Sequence, residues 1–215
     1  MKKKISLLML VLSAVLLFSC GKNAATESNG SDKVVVDKAN KSVTIECTVS
    51  DLGRHKHWFV VNKDGSMAGN TVLTTAVTTD DFYNGIAEIA GDKIWNDKKI
   101  KFDDDKSIDD MVAEGVGHSD FAKFDVTVSW GGKTYPLSDV ITDAEFKGKP
   151  YKGSYKVAFA GNLDNQHDEK TGCITCFGGC YMGITSGYDT PMMIKYTPKN
   201  LPEVGKTVKV TYTLA

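Results

Sequence analysis

The stretch FDVTVSWGGKTYPL, residues 124–137, indicates the fold of this chain more clearly than any other segment. Apolar residues occupy every second position from Phe124 to Trp130, which is the period of a β-strand with one buried face. Gly131 and Gly132 follow as a two-residue hairpin turn, and a second strand is expected from Lys133 to Leu137. The segment therefore predicts an antiparallel hairpin.

Similar patterns recur along the rest of the chain, and they predict a mainly β domain of the α+β class. Together with one or two short helices, the expected strands indicate an antiparallel β-sandwich or an open barrel that carries a long cysteine-bearing loop. The further strands are expected at residues 43–49, 58–62, 71–77, 155–159, 192–196 and 208–214.

Two segments have the features of helices rather than strands. Thr79 is a suitable N-cap, acidic residues occupy the next two positions, and Gly91 would lie just past the helix end. Residues 107–114 predict a shorter second helix capped by Ser107.

The N-terminus has the features of a bacterial lipoprotein signal. Lysines at positions 2–4 precede an apolar run that ends at Phe18, shorter than the roughly 20 residues of a membrane-spanning helix. Cys20 follows in a segment similar to a lipobox, which predicts removal of residues 1–19 and lipid attachment to Cys20. The protein is therefore expected on the exported side of the bacterial cell membrane or outer membrane, held by its lipid anchor.

The remaining chain is expected to form one domain on a short tether. Residues 20–32 are small and polar, as in a flexible linker, and residues 33–215 are enough for a single domain with a sizeable core. A net charge of −1 gives no reason to expect nucleic acid as a partner, and the sequence indicates no particular protein partner.

The residues most suited to chemistry lie in segment 161–190, where no regular period is visible. A loop of that length inside a compact domain is usually functional or disordered. Cys173, Cys176 and Cys180 are spaced C-x2-C-x3-C within it, and several glycines would let the backbone fold tightly around a shared centre. The spacing predicts a covalent or metal-binding role for these three cysteines, which we call the cysteine cluster.

The segment GCITCFGGCYMGITS, residues 172–186, resembles the cysteine signature of YdjY-domain proteins. The order of the surrounding segments is also similar, so that the resemblance extends over roughly residues 41–214. Members of this family are lipoproteins described as ferredoxin-like. The resemblance implies an iron-sulfur site at the cysteine cluster and a role in electron transfer.

The residues themselves leave other cofactors open. An iron-sulfur cluster needs four ligands, and Cys47 or His167 would have to supply the fourth. Cys47, however, falls on the expected core face of its strand, where a cysteine usually acts as a small apolar residue. The cluster with His167 would suit zinc, and thiolates near Met182 would suit copper(I).

The simplest alternative is a disulfide. Cysteines of an exported chain usually meet an oxidising environment, so two members of the cysteine cluster could pair with each other. The protein would then be a non-catalytic structural or interaction lipoprotein.

Other polar residues are weaker candidates. His55 and His57 would lie on one face of a strand and could chelate a metal, but a polar strand end next to a turn is the favoured interpretation, and His118 is interpreted as a loop residue. Residues 103–105 are three consecutive aspartates without the spacing of a calcium loop, and Gly131 and Gly132 lie in a hairpin rather than a phosphate-binding loop. No Ser-His-Asp arrangement or acid/base carboxylate pair is apparent, so the sequence nominates no enzymatic reaction.

Overall fold

The computed structural model describes residues 32–55, 57–96, 100 and 102–215. The predicted signal peptide, Cys20 and all but the last residue of the expected tether lie outside the described residues.

The described strands and helices are numbered in chain order. The strands are β1 Val35–Asp37, β2 Ser42–Val49, β3 Trp58–Asn62, β4 Leu73–Thr75, β5 Lys123–Trp130, β6 Lys133–Pro136, β7 Ile141–Phe146, β8 Lys149–Pro150, β9 Val157–Phe159, β10 Cys173–Cys176, β11 Thr185–Gly187, β12 Lys195–Pro198 and β13 Thr207–Leu214. The helices are α1 Thr79–Ala90, α2 Ile108–Ala113, α3 Leu137–Val140 and α4 Leu163–Glu169, with a 3-10 turn at Ala68–Asn70.

Eight of these strands close into a barrel, in the order β2-β13-β5-β9-β11-β10-β3-β4. The barrel closes because β4 also pairs with β2, with Thr74 opposite Thr48 and Leu73 opposite Val49. β1 and β6 extend the same sheet, and β12, β7 and β8 form a second, three-stranded sheet. The expected mainly β class is confirmed, but the barrel is closed rather than open. Two of its strand pairs, β3–β4 and β10–β11, are parallel rather than antiparallel.

The long antiparallel strands β2, β13 and β5 follow the predicted alternation. In β2 every second residue is buried, from Val43 through Ile45 and Cys47 to Val49. Helix α1 packs on the barrel with Phe82 and Ile86 buried, and the ring centroids of Phe82 and Tyr212 are 4.9 Å apart. Burial of these apolar side chains is the main stabilising contribution of the barrel.

The predicted turn and helix ends are largely confirmed. Gly131 and Gly132 have φ values of 55° and 76°, as a two-residue hairpin turn requires. Helix α1 ends at Gly91, with φ 67°, but its N-cap is Thr78 instead of the predicted Thr79. Helix α2 begins after Ser107, which forms a reciprocal capping box with Asp110.

The segment predicted to be one long loop, residues 161–190, contains a helix and two barrel strands. Helix α4 precedes β10, which carries Cys173 and Cys176, and β11 follows the turn that carries Cys180. Every residue of β10 and β11 is buried, so neither strand has the polar alternation by which a half-buried strand is recognised. The cysteine cluster therefore lies in the barrel wall and the turn beside it.

Candidate functional site

The three members of the cysteine cluster meet in one enclosed apolar region of the barrel. Cys173 and Cys176 are fully buried and Cys180 is 1 % exposed. They form a small hydrophobic group with Val61, Met182 and Met192, separate from the main core. All the described cysteines are free thiols in this structure.

The thiols of the cluster influence one another. Cys173 and Cys180 both raise the pKa of Cys176, and Cys176 and the imidazole of His57 both lower that of Cys180. No group of three or more His, Cys, Asp or Glu side chains among the described residues is arranged to hold a metal ion. The site is therefore a group of three interacting thiols with His57 beside Cys180.

The two neighbouring thiols Cys176 and Cys180 differ in acidity. Burial raises the pKa of Cys176 well above its ordinary value, and its hydrogen bonds with Cys173 and Cys180 raise it further. The pKa of Cys180 lies well below its ordinary value, chiefly because its sulfur accepts a hydrogen bond from Cys176 and despite the opposing effect of burial. His57 and the backbone N–H of Met182 also lower it, the nitrogen lying 3.4 Å from the Cys180 Sγ atom. The pair therefore favours a thiolate at Cys180 and a neutral thiol at Cys176.

Glycines allow the chain to approach the thiols closely. A Cβ atom on Gly183 would lie 3.2 Å from the Cys176 Sγ atom. A Cβ atom on Gly178 would lie 2.7 Å from the Pro191 carbonyl oxygen and 3.0 Å from the His57 Cβ atom. Larger residues at either position would push the turn away from its neighbours.

Helix α4 holds the turn through amide side chains. The Asn162 amide donates to the carbonyl oxygens of Cys180 and Gly183 at 3.0 and 2.9 Å, and the Asn165 amide donates to that of Tyr181 at 2.7 Å. Gln166 donates to the Met182 carbonyl. The side-chain oxygen of Gln166 also accepts the backbone N–H groups of residues 172 and 173, at 2.9 and 3.1 Å. These bonds fix the backbone at residues 172–173 and at residues 180–183.

Neither residue expected as a fourth ligand lies at the cysteine cluster. His167 is on the exposed side of α4, where its Nε2 atom is 2.9 Å from the Asp80 Oδ1 atom. Cys47 is buried in the main barrel core, among Val43 and Ile45, and burial raises its pKa. Cys47 is thus placed as the sequence predicted, as a small core residue.

His57 is the site residue whose role the sequence did not indicate. It is 7 % exposed, and its Nδ1 atom has no hydrogen-bond partner among the described residues. The centroids of its ring and the Trp58 ring are 4.4 Å apart, and the two planes are inclined at 51°. The Phe177 backbone N–H donates to the His57 carbonyl at 2.5 Å, which joins the histidine to the cysteine turn. His57 does lie at a strand end, directly before β3, but it is buried there.

The remaining candidates have other environments. His55 is buried beside Tyr196, with its Nδ1 atom 3.3 Å from the Asn70 carbonyl oxygen. Asp103 and Asp105 form ion pairs with lysines on the surface, at 3.6 and 2.9 Å. Within the part of the chain that the structure describes, no helix is long and apolar enough to cross a membrane.

The fold and the site define an eight-stranded β-barrel with a buried cysteine cluster in its wall. The family model for the YdjY domain matches residues 34–213, so the chain belongs to the YdjY domain family, as its cysteine signature predicted. It is similar to "Uncharacterized protein YdjY" of Escherichia coli (strain K12), with 28% identity over 165 residues. The match covers 74% of this chain and 64% of the relative, so the chain spans less than two thirds of that protein's length. No solved structure matches the chain.

Proposed function

We propose that this protein is a thiol redox protein of the cell envelope, in which Cys176 and Cys180 alternate between a dithiol and a disulfide. The observation that supports this most directly is the asymmetry of the pair. The neighbouring Cys176 thiol lowers the pKa of Cys180, and the Met182 N–H lies 3.4 Å from the Cys180 sulfur, whereas burial raises the pKa of Cys176. A thiolate beside a neutral thiol is the arrangement from which disulfide exchange begins.

The two-electron oxidant of this exchange is a disulfide of another molecule on the exported side. The Cys180 thiolate attacks one sulfur of that disulfide, which forms a mixed disulfide and releases the other sulfur as a thiolate. Cys176 then loses its proton, attacks the Cys180 sulfur and releases the second thiolate. The protein gains one disulfide, and the donor becomes two thiols that take up protons from Cys176 and from solvent.

Cys180 is the member of the cluster best placed to meet another molecule. It is buried like the other two, but the next residue, Tyr181, is 37 % exposed. The turn that carries Cys180 has no regular secondary structure, unlike β10, which carries the other two thiols. A local opening of this turn, which breaks its hydrogen bonds to α4, would expose Cys180 while Cys173 and Cys176 stay in the barrel wall.

Cys173 gives the cluster a second internal route. It lies in the same hydrophobic group as Cys176 and influences its pKa. Once a Cys176–Cys180 disulfide has formed, the Cys173 thiol can lose its proton to the Cys180 sulfur as it attacks Cys176, which forms a Cys173–Cys176 bond and releases Cys180 as a thiol. The disulfide would then join Cys173 and Cys176, and Cys180 would again be free to react.

A redox titration tests the proposal. Protein equilibrated in thiol–disulfide buffers of graded potential is quenched with an alkylating agent, unfolded and weighed by mass spectrometry. We expect two thiols to disappear in one two-electron step, and we expect Cys176→Ser to remove the step. Cys47→Ala is the matched control and should leave the step in place. Thiols that all stay free across the range of potentials would contradict the proposal.

A second candidate function is binding of a soft metal ion or an iron-sulfur cluster for electron transfer. The chemistry of the donors favours it, because three thiols, the thioether of Met182 and the His57 Nδ1 atom, which has no partner among the described residues, all lie in this region. Zinc, copper(I) and iron-sulfur clusters all accept such ligands, with His57 in the place expected for Cys47 or His167. Since no described group is arranged around one ion, binding would require these side chains to move.

Metal analysis separates the two candidates. Protein purified without oxygen would contain stoichiometric iron with a visible charge-transfer band, or stoichiometric zinc or copper, if this second function is correct. His57→Ala would then lower the metal content, whereas His167→Ala would not. Metal-free protein that still shows the two-thiol step would support the redox function alone.

The location proposed for this chemistry is a membrane surface outside the cytoplasm. The proposal rests on the signal-like N-terminus and the lipobox-like segment before Cys20. Two acyl chains would hold the protein stably, at about 0.8 kcal/mol for each buried methylene group.

A further inference from the structure

Four consecutive carbonyl groups, those of residues 180–183, accept hydrogen bonds from the side chains of one short helix. The donors are Asn162 for residues 180 and 183, Asn165 for residue 181 and Gln166 for residue 182. Carbonyls in an irregular turn usually bond to water or to nearby backbone groups. Here one helix fixes the orientation of the whole turn after Cys180.

The orientation of those carbonyls determines where the backbone N–H groups point. In a trans peptide the C=O and N–H bonds of one unit point in opposite directions. Because the Tyr181 carbonyl points to Asn165, the N–H of Met182 points the other way, and it lies 3.4 Å from the Cys180 Sγ atom. In the same way the Gly183 carbonyl points to Asn162, and the N–H of Ile184 donates to the Cys173 carbonyl at 3.2 Å.

The Asn162 side chain makes these contacts instead of capping its own helix. It occupies the N-cap position of α4 in a left-handed conformation with φ 54°, and its side chain makes no capping bond to the helix. Asparagine at an N-cap ordinarily bonds the N–H of the second or third helical residue. Its amide instead reaches the cysteine turn, and its oxygen accepts from the Asn96 side chain at 2.6 Å.

We propose that Asn162, Asn165 and Gln166 are positioning residues for Cys180, which orient the turn so that the Met182 N–H stabilises the Cys180 thiolate. This inference rests on the proposed thiol function. An oriented N–H favours the charged form of an acceptor over its neutral form. The Cys180 thiol should therefore ionise at a lower pH while the three amides are in place.

Asn165→Ala tests this most cleanly, because Asn165 is only half-buried and holds the peptide unit that carries the Met182 N–H. The pKa of Cys180 is measured from thiolate absorbance in the ultraviolet, as the difference between each protein and its own Cys180→Ser variant. We expect the pKa to rise by about one unit, since a hydrogen bond to a charged group becomes weaker or is lost. At a pH above both values, the dithiol–disulfide equilibrium should shift up to about tenfold toward the disulfide.

Two further variants make the result specific. Asn165→Leu nearly keeps the size of the side chain and adds no charge but offers no donor to the Tyr181 carbonyl, so it should also raise the pKa of Cys180. Asn40→Ala removes an amide that bonds Asp37 in the β1–β2 turn, and it should leave the pKa unchanged. Circular dichroism checks that each variant is folded. If Asn165→Ala unfolds, the pKa of Cys180 in Asn165→Leu provides the test.

The outcomes separate this inference from the redox function. An unchanged pKa in both folded Asn165 variants, or an ordinary Cys180 pKa in the unaltered protein, would overturn the positioning role. A shift in the Asn165 variants without any two-thiol redox step would retain the positioning role and overturn the redox function.

Discussion

Cys176 on β10 pairs with Trp58 on β3, and this register brings His57 to the turn that carries Cys180. Backbone pairing fixes the position of His57 relative to Cys180, as does the bond from the Phe177 N–H to the His57 carbonyl. A histidine distant in sequence from the C-x2-C-x3-C motif is therefore part of the same site.

The first prediction concerns the effect of His57 on thiol acidity. His57→Gln should raise the pKa of Cys180 by about one unit, because the imidazole favours the thiolate. The rate of alkylation of Cys180 as a function of pH measures this, with His167→Gln as a control that alters an exposed histidine. Equal pH profiles for the His57 variant and the unaltered protein would show that His57 has no influence on the thiol.

The second prediction is a pH dependence of stability. Cys180 has a lower pKa in the folded protein than in the unfolded chain, where the ordinary value is about 8.5. Between those two values only the unfolded chain holds the proton, so the free energy of unfolding should rise with pH and lose this contribution as pH falls. Denaturant titrations at several pH values, compared with Cys180→Ala, isolate the effect. The variant should lack the rise below about pH 8.5, and a rise of equal size in both proteins would contradict the assignment.

The third prediction has the opposite sign and concerns Cys47. Burial raises its pKa, so the folded protein keeps a proton that the unfolded chain loses above about pH 8.5. Stability should therefore decrease as pH rises above that value, and Cys47→Ala should reduce the decrease. The same substitution should cost about 1–2 kcal/mol at neutral pH, because it leaves a small cavity in the barrel core. Loss of the two-thiol redox step in Cys47→Ala would show that Cys47 belongs to the cluster.

The sequence predicted those parts of the molecule that depend on local patterns. Alternation marked β2, β5 and β13, and capping residues marked α1 and α2, because each signal lies within a few neighbouring residues. The barrel closure was not predictable, since it depends on β4, a three-residue strand that pairs on both sides. The residues around the cysteine cluster were not predictable for the same reason, because they too come from distant segments.

The cysteine cluster was recognised from its spacing, but its surroundings were not. His57 reaches Cys180 through the pairing of β3 with β10, and no spacing within the sequence encodes that pairing. The amides of α4 were overlooked because asparagine and glutamine are common in loops and carry no motif of their own. A helical reading of residues 163–169 would have placed Asn162 and Gln166 one turn apart, on the side that faces the turn.

The fourth prediction concerns the membrane anchor. Cys20→Ala should move the protein from the membrane fraction to the soluble fraction, because the acylated residue is removed. Mass spectrometry of the unaltered protein should find a mature chain that begins at an acylated Cys20. A soluble product, or a chain that retains Met1, would contradict the anchor.

The pairing of cysteines in the oxidised protein tests the central claim most directly. Trypsin releases residues 171–195 as one peptide, since no lysine or arginine lies between Lys170 and Lys195, and this peptide holds the whole cluster. Further cleavage after Phe177 separates Cys180 from the other two cysteines unless a disulfide joins the halves. We predict that the halves stay joined until reduction in Cys173→Ser, in which only a Cys176–Cys180 bond can join them. Halves that separate without reduction in oxidised Cys173→Ser protein would contradict the account.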